Sequence, residues 1–97
     1  MLPVIYRSAA EFELQDAYRW YEGCRIGLGH DFMAWVDERV QIIRQFLQSF
    51  PAVHRDVRRA VIRRFPYSIF YLPTSRSIIV LSIFHSSRKP IAWKRAE

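Results

Sequence analysis

Two hydrophobic periods divide this chain: a helical spacing through its first half and a strand-like alternation through its second. Advancing about 100° per residue, Ala10, Leu14, Ala17, Tyr18, Trp20, Tyr21 and Cys24 fall on one side of a wheel, which predicts an amphipathic helix. Ser8 and Glu11 have the spacing of a capping box, so that helix is expected to start at Ser8. It should end near Arg25, where Gly27 and Gly29 supply left-handed residues for a cap and turn. A second helix is expected from Asp31 to Gln48. Phe32, Met33, Trp35, Val36, Val40, Ile42, Ile43, Phe46 and Leu47 cover half of its wheel, wide enough to pack on both a helix and a sheet. The short glycine-bearing link folds the two helices into an antiparallel hairpin, which Pro51 closes.

The remainder reads as strands. Val4-Ile5-Tyr6 is a short one ahead of the helices. From Val57 to Arg64, alternation puts Arg59, Val61 and Arg63 on one face and Arg58, Ala60, Ile62 and Arg64 on the other. Phe65-Pro66 interrupts, because proline cannot donate to a ladder. Tyr67 to Leu72 follows, then a turn over Pro73 to Ser77. Ile78 to Phe84 is almost wholly apolar and should be a central strand covered on both faces. The expected fold is α+β in the order β-α-α-β-β-β, with the helical hairpin packed on an antiparallel sheet, as one domain over residues 1–97. Two charges break the helical pattern, Glu13 and Arg39. They either form a partly buried ion pair that sets the hairpin register or reach water separately.

Composition narrows the function classes. The chain is 51% apolar and 15% aromatic, which argues for a packed core. Cys24, the single cysteine, excludes an intrachain disulfide and cysteine-rich zinc sites; its place on the apolar arc suggests a core thiol. No metal or cofactor is expected. The start lacks a signal-peptide pattern and no apolar run approaches the roughly 20 residues of a membrane span, so a soluble, cytoplasmic protein is expected. The net charge of +6 is uneven. Residues 1–48 carry five arginines against seven carboxylates, net −2, and residues 49–97 carry ten bases against Asp56 and Glu97, net +8. Such a surface suits phosphate or an acidic protein segment; a solvated basic face is the plainer alternative.

One series of residues, in order and over nearly the whole chain, carries a resemblance. Ala10-x3-Leu14-x2-Ala17 leads to Trp20-Tyr21-Glu22 and then to Gly27-Leu28-Gly29-x2-Phe32-x3-Val36. Arg64-Phe65-Pro66-Tyr67-x-Ile69-x-Tyr71 follows Pro51, and the chain closes with Ile79-Val80-Leu81-x-Ile83-x-His85-x2-Arg88-x-Pro90-x2-Trp93. This series resembles the ParE-like branch of the RelE/ParE toxin superfamily, often called plasmid stabilisation proteins. The resemblance implies a growth-inhibiting toxin neutralised by a cognate antitoxin, whose acidic, partly disordered C-terminal segment folds onto the helical hairpin and sheet. Trp20, Trp35, Arg59 and Arg63 are the candidate antitoxin contacts, and a toxin–antitoxin hetero-oligomer would suit the wide apolar face.

Two targets are open. By resemblance to ParE, the protein would poison DNA gyrase without chemistry of its own, through Arg88, Lys89, Trp93, Lys94 and Arg95. By resemblance to RelE, it would be a ribosome-dependent mRNA endonuclease. Attack by a 2′-hydroxyl then needs a proton acceptor, a proton donor and cations on the phosphorane. His85 would move the proton, Arg64 and Arg88 would hold the phosphate and Tyr71 would stack a base. The tail departs from the RelE pattern in carrying Trp93 and no tyrosine. A third class, a non-catalytic nucleic-acid-binding module, fits the charge but has no helix-turn-helix, RNP or zinc signature.

Overall fold

The computed structural model describes residues 1–87. Their elements are β1 (Val4–Tyr6), α1 (Ser8–Cys24), α2 (Leu28–Gln45), β2 (Ala52–His54), β3 (Val57–Val61), β4 (Tyr67–Pro73) and β5 (Ile78–His85). The expected α+β architecture is present, with β2 added between the second helix and β3. The sheet runs β1-β5-β4-β3-β2. It is mixed: β2 to β5 pair antiparallel as expected, whereas β1 lies parallel to β5, with Val4 opposite Ile78 and Tyr6 opposite Val80. The helical hairpin carries the chain from β1 at one edge of the sheet to β2 at the other.

The expected capping box does not form. Arg7, not Ser8, is the N-cap, with extended φ −68° and ψ 157° and no side-chain cap bond. Strand pairing reaches Arg7, whose N–H donates to the Val80 carbonyl at 3.0 Å, and Ser8 is thereby already the first helical residue. The second helix is displaced towards the N-terminus from its expected span of Asp31 to Gln48. Gly27, at φ 91°, turns the chain directly into it, and Gly29 becomes a buried helical residue instead of a second left-handed one. Its far end stops at Gln45 because later carbonyls are captured. Tyr71 donates its hydroxyl to the Leu47 carbonyl at 2.9 Å, and the Arg58 guanidinium takes the Gln48 and Phe50 carbonyls.

Ala10, Ala17, Phe32, Val36, Val40 and Ile43 from the helices meet Ala60, Ile62, Ile69, Tyr71, Ile78, Val80 and Ile83 from the sheet. On the opposite face, Val57, Phe70 and Leu81 form a second cluster with Leu72, Ile79 and Phe84. β5 contributes to both, as its apolar run implies. A bulge lies opposite the Phe70–Tyr71 step: Phe70 pairs with Ser82 and Tyr71 with Val80, so alternation restarts and Ile83 again faces the helices.

One expectation about a single residue, the core placement of Cys24, is overturned. Cys24 is exposed, and Trp20 keeps 68% of its surface. The small Ala10 and Ala17 seat α1 close to the sheet, which narrows its buried stripe and leaves both flanking side chains outside. Glu13 and Arg39 do not pair. Glu13 Oε1 accepts from the Ser82 hydroxyl at 2.9 Å and the Ile83 N–H at 3.0 Å, while Arg39 Nε lies 3.7 Å from Glu38 and its guanidinium 5.9 Å from the Phe50 ring centroid. The bulge frees a backbone donor beside α1, and the carboxylate answers it.

Candidate macromolecule-docking site

The chemistry-bearing side chains gather at the end of the sheet where β3 ends, β4 begins and β5 ends. Phe65 anchors the turn between β3 and β4, with its ring centroid 4.8 Å from Tyr21 and 5.2 Å from Phe32. The Ile62 N–H donates to the Tyr67 carbonyl at 2.9 Å, and the Ser86 N–H to the Pro66 carbonyl at 2.7 Å. A turn held this firmly presents its two arginines in a set direction. Arg64 takes φ 71°, and both guanidiniums lie at the half-buried indole of Trp35 on α2. Their central carbons lie 5.5 Å (Arg63) and 5.1 Å (Arg64) from the ring centroid.

His85 ends β5 opposite Tyr67, edge-on to its ring at 5.2 Å. Its Nδ1 accepts the Ser87 N–H at 3.2 Å and lies 2.7 Å from the Ser87 hydroxyl. His85 also lines a groove of about 490 Å³ with Glu13, Asp16, Ala17 and Trp20 of α1, Tyr67 of β4, and Ile83 and Phe84 of β5. Trp20 forms its exposed wall.

Tyr71 stands apart. It is fully buried, and that burial pushes its hydroxyl pKa up to about 12 against the opposing pull of Arg58. Its ring packs in the core and offers no free face to a base. Of the residues assembled for RNA cleavage, the structure thus brings Arg64 and His85 to one end of the sheet and leaves Tyr71 inside it. The candidate antitoxin contacts are likewise divided. Trp35 and Arg63 touch, Trp20 lines the groove, and Arg59 lies opposite Phe70 on the sheet face away from the helices. Arg88, Lys89, Trp93, Lys94 and Arg95 lie outside the described residues.

Sequence reasoning missed the contact between Trp35 and Arg64 and the role of Glu22. The Glu22 carboxylate accepts the Gly27 N–H at 2.9 Å and the Gly29 N–H at 3.0 Å, capping the start of α2 from the end of α1. Those bonds, the Gly27 one foremost, hold its pKa below the usual carboxylate value, with help from nearby His30. The available signal was a glutamate just ahead of the Gly27-Leu28-Gly29 turn. Among the described residues there is no group of three or more His, Cys, Asp or Glu that could hold a metal, and no helix long and apolar enough to cross a membrane.

Comparison with known proteins agrees with this fold. A solved structure from P. aeruginosa, a chromosomal ParDE TA system, superposes with a TM-score of 0.76 at 19% identity, covering 88% of this chain and 96% of that one. No curated protein matches. The family model for the ParE toxin of the type II toxin–antitoxin system, parDE, matches residues 4–90. With nearly its whole length matched, the chain belongs to the ParE toxin family of type II toxin–antitoxin systems.

Proposed function

We propose that this chain is the toxin of a ParDE-type pair, neutralised by a cognate antitoxin with an acidic, partly disordered C-terminal segment. Freed from it, the toxin inhibits growth by docking on a macromolecule, with DNA gyrase the expected target, and does not itself cut RNA. The observation that carries this reading is the burial of Tyr71, with its hydroxyl on the Leu47 carbonyl. RNA cleavage needs a base held in place for attack as well as proton transfer and cations. Here the ring assigned to hold the base is a core residue, Arg64 rests on Trp35, and His85 is engaged with Ser87. An exposed Trp20, arginines presented on a rigid turn and a groove suit docking.

The test is induction of the chain in growing bacteria, with gyrase-linked DNA breaks and cleavage of ribosome-bound mRNA measured in parallel. DNA breaks without mRNA cleavage are expected, and His85→Ala should leave growth inhibition nearly unchanged. Loss of mRNA cleavage and of toxicity in His85→Ala, by roughly 10²-fold or more in rate, would overturn the reading in favour of the nuclease. Co-expression of the neighbouring antitoxin reading frame should restore growth.

A further inference from the structure

We propose that Trp35, Arg63 and Arg64 form a clamp for a carboxylate side chain of a protein partner; on the reading above, that partner is the antitoxin's acidic segment. The first observation is the double stacking. Arg63 and Arg64 lie in the turn between β3 and β4, and both guanidiniums sit within 5.5 Å of the same indole centroid. Arg64 takes a positive φ there, a conformation that costs an arginine backbone energy. The turn that imposes it is fixed by Phe65 in the aromatic cluster and by two backbone hydrogen bonds.

The second observation is electrostatic. Among the described residues no carboxylate lies within ion-pair distance of Arg63 or Arg64; of the acids flanking Trp35 on α2, Glu38 lies beside Arg39 and Asp31 beside Arg25. Among the described residues, two like charges therefore share one ring without a counter-charge. A guanidinium over an aromatic face keeps its N–H edge free for a planar two-oxygen acceptor. An anion bridging both arginines relieves their repulsion and uses donors already oriented.

The surroundings favour a carboxylate over a polynucleotide. Nucleic acid is held by a track of cations matching successive phosphates. Three other arginines do not extend the pair into such a track. Arg58 is consumed by the Gln48 and Phe50 carbonyls, Arg39 is only 16% exposed at its side chain, and Arg59 lies on the other face of the sheet. What is left is a point site.

The full-length protein is titrated at low salt with hexaglutamate and, separately, with a short DNA duplex, following the side-chain N–H resonances of Arg63, Arg64 and Trp35 by NMR. Hexaglutamate should shift all three together, and Arg63→Gln/Arg64→Gln should weaken it about tenfold or more. Trp35→Phe keeps an aromatic ring in place and should weaken it by a smaller factor. Unchanged Ile62 and Tyr67 amide resonances in each variant report that the turn is intact. Hexaglutamate shifts confined to other arginines, or tighter binding of the duplex at these same three groups, would overturn the clamp. None of these readouts depends on toxicity. If hexaglutamate binds as stated while the C-terminal peptide of the neighbouring reading frame binds wild type and double variant equally, the clamp stands and its assignment to the antitoxin falls.

Discussion

At Gly29 an added Cβ would lie 2.7 Å from the Tyr18 carbonyl oxygen and 2.9 Å from both Glu22 Oε1 and Tyr18 Cδ1. The carbonyl belongs to the α1 backbone and cannot swing aside. Gly29→Ala should therefore cost about 2 kcal/mol in urea unfolding. Gly23 is the opposite case, since it sits in α1 with nothing within 4 Å of a new Cβ. Gly23→Ala should stabilise the fold by about 0.5–1 kcal/mol through helix propensity alone. Glu22, next to Gly23, makes a different prediction. Its pKa is lowered on folding by the Gly27 and Gly29 N–H groups, so its contribution is complete above the ordinary value of 4.5. That contribution is lost as the pH falls through the depressed folded value. Unfolding midpoints followed from pH 7 downward should show an acid decline in wild type that is shallower in Glu22→Gln. Equal declines would mean that the Glu22 carboxylate does not cap α2.

At the level of elements, the helical periods and the glycine turn were legible because a wide apolar face and a left-handed residue are local facts. The strands β3, β4 and β5 were legible for the same reason. β2 was not: Ala52 and Val53 are exposed and only His54 is half-buried, so three residues leave no alternation to read. The bulge in β5 and the parallel placement of β1 depend on partners far away in sequence. The bulge also explains why Glu13 looked misplaced on an apolar arc. Its partners, Ser82 and Ile83, are 69 and 70 residues away, and no helical wheel can show them. Removing that carboxylate strands a buried hydroxyl and a backbone N–H. Glu13→Ala should accordingly destabilise by about 2–3 kcal/mol, whereas Glu13→Gln, which keeps an accepting oxygen, should cost less. Amide hydrogen exchange at Ile83 checks the mechanism: protection there should fall further in the alanine variant than in the glutamine one. A uniform loss of protection across β5 in both would contradict it.

Across the whole molecule, the sequence located charge but not its arrangement. The basic second half was plain from counting, yet whether Arg63 joins Arg59 on a strand face or turns to Trp35 is decided by the Phe65 anchor and by Arg64 at φ 71°. Tyr71 was misread for a related reason. Its aromatic ring beside arginines suited a base-stacking role until the packed layers placed it inside, where it ties the sheet to the link beyond α2 through the Leu47 carbonyl. That tie makes the two layers sensitive to alkali. Below pH 10 the phenol is protonated whether the chain is folded or not. Between 10 and about 12 the unfolded chain loses that proton and the folded one keeps it, so stability falls as pH rises. Tyr71→Phe removes both the hydrogen bond and the titration. It should lower stability near neutrality by about 1 kcal/mol and flatten the decline above pH 10, with the remaining slope left to the other tyrosines. Denaturant midpoints for the two proteins should therefore converge as the pH climbs. Parallel curves would mean that the Tyr71 hydroxyl reaches solvent, and a ring that reaches solvent would again be available to stack on a base.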